Sequence, residues 1–94
     1  MRIEIIIWLE RVVDKLSFKH NVTIHEVEEA LSNQPKFRLV EKGQTEGENI
    51  YLALGQSVAQ RYLVVFFIYK RTKEAIILSA RDMVPGERKQ YERK

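Results

Sequence analysis

The sequence predicts an α+β fold: two N-terminal helices, a four-stranded antiparallel meander sheet and a C-terminal helix, forming one domain over residues 1–94. Three observations carry that expectation. Residues 62–69 and 75–81 are nearly continuous apolar runs joined by the polar link Lys70-Arg71-Thr72-Lys73. Strands buried on both faces read this way, so the two runs predict a central hairpin. Apolar residues before them recur at helical spacing, and the segment after them is charged, with a proline near its start. Helices flanking a block of strands with short links give an α+β fold with antiparallel neighbours.

Taken in order, Ile5, Trp8, Leu9, Val12, Val13 and Leu16 form an apolar stripe, with Glu10, Arg11, Asp14 and Lys15 between them. The spacing predicts an amphipathic helix over residues 4–20, with residues 3–7 able to begin as a short strand. Asn21-Val22-Thr23 breaks it. Thr23 and Glu26 make a capping-box pattern, and Ile24, Val27 and Leu31 predict a second helix ending near Asn33, before Gln34-Pro35. Residues 37–41 and 50–54 read as strands joined by a polar connection from Gly43 to Gly47. Pro85 suits the first turn of a final helix that carries Glu87, Arg88, Tyr91 and Glu92.

Composition narrows the function classes. The chain has no cysteine, which excludes a disulfide framework, a thiolate nucleophile and Cys-based metal sites. That suits a reducing, cytoplasmic location. The longest apolar run near the N-terminus, residues 5–9, is too short for a signal-peptide core or a membrane span. Net charge is +3 and unevenly placed: residues 70–94 hold eight Lys/Arg against four Asp/Glu, and residues 1–69 hold eight against nine. A basic C-terminal third points to phosphate or an acidic protein partner, with a solvated charged helix as the plainer explanation.

The meander places Arg61, before one central strand, and Arg81, at the end of the next, at the same sheet end. A three-residue turn centred on Arg71 pairs Arg61 with Arg81; a two-residue turn pairs Tyr62 with Arg81 instead. Two neighbouring guanidiniums need an anion between them, and arginine's planar fork suits phosphate. Carboxylate partners at the rim, Asp82 or Glu87, are the alternative. Tyr91 either pins the tail helix to the sheet or meets a nucleic acid. Lys19 and His20 end the first helix, where its dipole favours cations. His20 is also a candidate general acid or base, because imidazole ordinarily titrates near neutrality. His25, beside Glu26, Glu28 and Glu29, reads as part of a solvated face. Glu48 falls at the opposite sheet end, about 20 Å from Arg81, and reads as a structural or partner contact. No His pair has metal-ligand spacing, and there is no Gly-rich phosphate loop, no Gly-x-Ser-x-Gly and no paired catalytic carboxylates. No metal site and no cofactor are expected.

The chain resembles the BrnT toxins, small ribonuclease toxins of bacterial type II toxin–antitoxin systems with a RelE-like fold. The likeness runs over nearly the whole chain. Family members show a Trp and, eleven residues later, Lys-His-Gly-Val; here Trp8 is followed by Lys19-His20-Asn21-Val22. An acidic stretch with Ala-Ile-Gly corresponds to Glu48 and Ala53-Leu54-Gly55, and Gly-Arg before an apolar strand to Gln60-Arg61. Ile-Ser-Ala-Arg with Glu-Arg-x-x-Tyr-Glu corresponds to Leu78-Ser79-Ala80-Arg81 and Glu87-Arg88-Lys89-Gln90-Tyr91-Glu92, and that ordered pair is the most specific part. The chain departs from the family where Leu9 replaces an Asp, Val12 a Lys, Leu16 an Asn, Ile50 an Arg and Gln60 a Gly.

The resemblance implies metal-independent RNA cleavage, in which a ribose 2′-hydroxyl attacks the adjacent phosphate and cations stabilise the developing charge. It assigns Arg61 and Arg81 to the phosphate, and Tyr91, His20 and Lys19 to substrate contact or proton transfer. Arg71, Arg88 and Lys89 are the cations left to bind RNA. It also implies a BrnA-like ribbon-helix-helix antitoxin that neutralises the toxin, so that DNA is met only through the antitoxin. The alternative is a catalytically inactive RelE-like module that serves as antitoxin partner and corepressor; the departures in the first helix favour it. A plain nucleic-acid-binding domain would need sheet aromatics open to solvent, and residues 62–69 are too apolar for that.

Overall fold

The computed structural model describes residues 1–43 and 47–93; the centre of the expected Gly43–Gly47 connection lies outside the described residues. The elements are β1 (Ile5–Ile7), α1 (Glu10–Lys15), α2 (Ile24–Ser32), β2 (Lys36–Glu41), β3 (Asn49–Gln56), β4 (Tyr62–Tyr69), β5 (Glu74–Asp82) and α3 (Pro85–Glu92). α1 runs on into a widened π-helical turn, Leu16–His20. The α+β expectation holds, but the sheet has five strands in the order β1-β5-β4-β3-β2, and a strand precedes the first helix. β1 runs parallel to β5, with Ile6 opposite Ala75, while the other neighbours are antiparallel. The expected helix over 4–20 therefore starts late. Three consecutive isoleucines lose rotamer freedom in a helix and fit a pleated surface, so strand pairing wins over the helical spacing.

The helix that follows ends on Asn21, whose backbone is left-handed (φ 51°). The resembled Lys-His-Gly-Val pattern has glycine at this place, and asparagine is the side chain that best tolerates this conformation. Thr23 then caps α2 as expected: its hydroxyl accepts from the Glu26 N–H at 3.1 Å, and the Glu26 carboxylate accepts from the Thr23 N–H at 3.0 Å.

α1 and α2 cover one face of the sheet. Leu16, Val22, Val27, Leu63, Val65, Phe67, Ala75, Ile77 and Ala80 are buried there in one core. The Phe67 ring stacks on Tyr51 and meets Phe37 edge-on, with centroids 6.1 and 6.0 Å apart. Gly55 lets α2 lie directly on β3, because a Cβ there would stand 2.4 Å from the Ala30 carbonyl oxygen. Val12 and Leu16, which replace polar family residues, both point into this core.

α3 lies on the opposite face, over Tyr62, Val64 and Leu54, and buries none of its own residues completely. The two hairpins entering and leaving β4 use the same turn. Three residues separate Ser57 from Arg61 and Lys70 from Glu74, and the third of each, Gln60 (φ 70°) and Lys73 (φ 67°), is left-handed. That is the three-residue hairpin loop in which glycine usually takes the last place.

Candidate active site

The β4–β5 register differs from both expected pairings. Arg81 faces Val64, not Arg61 or Tyr62. The turn centres on Thr72 rather than Arg71, which slides β5 by two residues, and a bulge at Leu78 adds a third. Since neighbours along a strand alternate faces, an odd shift separates the two arginines. Arg61 and Arg81 share a sheet end but point to opposite faces, and no single anion bridges them in this arrangement.

Arg61 points to the helix side and is bound on every donor. Its Nε donates to Asp82 Oδ1 at 2.7 Å and Nη2 to Asp82 Oδ2 at 3.1 Å. Nη2 also reaches the His20 carbonyl at 3.1 Å; Nη1 reaches the Asn21 carbonyl at 2.8 Å and both Glu26 oxygens at 3.2 Å. A guanidinium carries five N–H groups, and these contacts occupy them all. Its own N–H donates to the Oγ of buried Ser57 at 3.0 Å. Arg61 thus ties the end of the first helix, the start of α2, the β3–β4 turn and the end of β5 into one knot. The pair of bonds from Arg61 holds the Asp82 carboxyl below its usual range. Burial pushes Glu26 upward, but the bonds from Thr23 and Arg61 outweigh it and leave that carboxyl low as well.

Arg81 points to the α3 side and has one main partner. Nη1 and Nη2 donate to the two Glu87 oxygens at 2.7 and 2.8 Å, and Nη1 also reaches the Asp82 carbonyl at 3.1 Å. Its guanidinium carbon lies 5.6 Å from the Phe66 ring centre. The Nε–H makes no hydrogen bond to any described residue, and about a third of the side chain is exposed (35%). Glu87 also accepts from the Val84 N–H at 2.9 Å, so one carboxylate both caps α3 and fastens it to β5. The Arg81 bonds hold that carboxyl below its usual range. Beside them the Arg88 guanidinium sits 4.1 Å over the Tyr62 ring, and Tyr91 meets Tyr62 edge-on at 6.0 Å. Burial, helped by Tyr62, raises the Tyr91 hydroxyl further, so it stays protonated and able to donate at neutral pH.

The remaining expected residues divide cleanly. Lys19 is exposed and His20 half-buried on the π-helical turn, on the Arg61 side. Lys89 is exposed on α3 with Arg88. Arg71 lies in the β4–β5 turn at the far end of the strands, apart from all the others, and Glu48 pairs loosely with Lys70 there at 3.8 Å. His25 is exposed, as a solvated face requires. Three partners were missed by sequence reading: Glu26, which capping alone seemed to explain, and Lys36 and Arg38, whose bonds to α3 join residues more than 50 positions apart. Lys36 Nζ donates to the carbonyls of Gln90 and Arg93, and Arg38 Nη1 to Gln90 Oε1 at 2.6 Å. Among the described residues, no three His, Asp or Glu side chains group as ligands of a metal ion, and no helix is long and apolar enough to cross a membrane.

A five-stranded sheet with two helices on one face and one on the other defines a small α+β domain. The family model described as "Ribonuclease toxin, BrnT, of type II toxin-antitoxin system" matches residues 8–87, and the chain belongs to that family. The fold is similar to the 1.1 Å crystal structure of the Brucella abortus ribonuclease toxin BrnT, with a TM-score of 0.60 and 18% identity over 86% of this chain and 99% of that one. Comparison with curated proteins found no match. As a toxin of a type II system, the protein implies an RNA substrate and an antitoxin partner.

Proposed function

We propose that this chain, as one toxin domain over residues 1–94, cleaves RNA without a metal in the bacterial cytoplasm and is neutralised by a BrnA-like ribbon-helix-helix antitoxin. The observation that carries the reading is the unequal state of the two arginines at one sheet end. Arg81 keeps an Nε–H that no described residue accepts, and the α3 residue that holds it, Glu87, lies one helical turn before Tyr91, whose hydroxyl is protonated; that suits a phosphate whose charge grows as the 2′-hydroxyl attacks. In this reading the 2′-oxygen forms the new bond to phosphorus and the 5′-oxygen leaves. One group takes the proton from the first and another returns one to the second. Arg81 stabilises the phosphorane, Tyr91 contacts or protonates it, and Arg88 and Lys89 hold the flanking backbone. Arg61 acts through the backbone of His20 and Asn21, setting the turn that carries Lys19 and His20 as contact or proton-transfer residues. Arg71 meets RNA only at the far end of the sheet.

A second reading, an inactive partner module and corepressor, is favoured by Val12 and Leu16, core residues where the family carries polar ones. The deciding experiment is induced expression of the wild type and of Arg81→Ala, with growth and total RNA followed together. Arrest and RNA loss with the wild type but not with folded Arg81→Ala support the nuclease. A soluble, folded wild type that leaves growth and RNA intact supports the module.

A further inference from the structure

We propose that Phe18 is a stacking platform for a base of single-stranded RNA, an inference that rests on the nuclease reading and adds a substrate contact to it. Phe18 is the most exposed large hydrophobic residue among those described, at 93%. It belongs to no part of the core. Leu16, two positions earlier, is buried, so Phe18 projects from the other side of the same π-helical turn.

Its surroundings favour an aromatic anion over a purely apolar partner. Lys19 adjoins it in sequence and Lys15 lies one helical turn back, against Asp14 as the one acidic residue within four positions. A helix C-terminus is ordinarily a negative end that would repel phosphate. Here the last carbonyls, those of His20 and Asn21, are occupied by the Arg61 guanidinium. Those carbonyls are therefore bonded rather than open to repel phosphate, and with Arg61 itself matched by Glu26 and Asp82 the turn presents the Phe18 ring and the ammonium groups of Lys15 and Lys19. Single-stranded nucleic acid is held by this combination: rings for the base faces and cations for the backbone.

The exposure of Phe18 makes the test clean, because truncating it removes no packing. Phe18→Ala, Phe18→Leu and Phe18→Trp would be compared with the wild type for cleavage of single-stranded RNA and for binding of a 2′-O-methylated oligonucleotide, which cannot be cleaved. Stacking is expected to cost about tenfold in affinity, and in KM more than in kcat, for Ala and Leu alike, while Trp restores binding. Thermal midpoints should not move. Unchanged affinity in Phe18→Ala overturns the proposal. Retention by Leu with loss by Ala also overturns it, since that marks an apolar docking contact such as a protein partner would make. A wild type that binds the oligonucleotide through Phe18 yet cleaves nothing overturns the nuclease reading and leaves the platform standing; one that binds no RNA overturns both.

Discussion

Arg61 and Arg81 are the same residue type at the same sheet end, yet the protein uses them in opposite ways. Arg61 spends five donors on two carboxylates and two backbone carbonyls drawn from three segments of the chain. Arg81 spends most of its capacity on one carboxylate of a helix that is itself barely buried. The difference follows from one step of register, which sends Asp82 to the helix face and Arg81 to the other. A guanidinium woven into backbone is a structural clamp. One held by a single carboxylate can exchange that partner for a phosphate.

The comparison breaks first at Arg61. Replacing it with Ala leaves half-buried Glu26, the more exposed Asp82 and the carbonyls of His20 and Asn21 without their donor. Charge-assisted bonds and the cost of orphaned partners make a loss of about 3 kcal/mol the expected effect. Arg61→Lys should recover only part of it, because an ammonium cannot span the same fork. Urea unfolding of both variants measures this. If Arg61→Ala stays within about 0.5 kcal/mol of the wild type, the clamp is a surface contact and the contrast between the two arginines disappears.

How much of this the residues alone disclosed depends on range. Thr23 with Glu26, Pro85 at the start of α3, and the apolar runs of β4 and β5 are local patterns, and each element forms where its pattern places it. The family likeness rests on ordered motifs and is visible in the same way. The short β1 shows only as the strand that residues 3–7 could begin, and its parallel pairing not at all, because its partner lies some 70 residues away and its isoleucines also fit a helical stripe. Register is the sharper failure. A turn shifted from Arg71 to Thr72 and a bulge at Leu78 leave no mark in a run of apolar residues, yet the first moves the partner of Arg81 by two places and the second decides which face Arg81 occupies. Both carboxylate partners at the rim, Asp82 and Glu87, were foreseeable as neighbours in sequence; Glu26, drawn in across the helix layer, was not.

A smaller effect is expected at Glu87, and it should be local. Glu87→Gln removes the charge that caps α3 and pairs with Arg81 but touches nothing in the main core, so α3 should loosen at a global cost of about 1 kcal/mol. Acid tests the same contact in the wild type. The folded-state carboxyl lies below the ordinary value of 4.5, so the bond's contribution is full above that pH and is lost as pH falls through the lower, folded value. Amide exchange should therefore show α3 opening before the β4–β5 hairpin as the solution is acidified. Simultaneous opening of both would mean that α3 is as firmly built in as Arg61.

The smallest effect has the opposite sign. Gln60, immediately before Arg61, holds a left-handed backbone (φ 70°) at a place where the family carries glycine. An L side chain other than Asn or Asp is strained there by about 1 kcal/mol, whereas glycine is not, although glycine gives back part of the gain through its freer unfolded chain. Gln60 is exposed, so its side chain takes little packing with it. Gln60→Gly is thus expected to stabilise the protein by about 0.5 kcal/mol, read as a rise in the urea midpoint with an unchanged slope. Asn21→Gly should gain less, because asparagine already tolerates the left-handed region. If Gln60→Gly is instead destabilising, the turn depends on the glutamine side chain, and the Arg61 knot extends one residue further than its hydrogen bonds indicate.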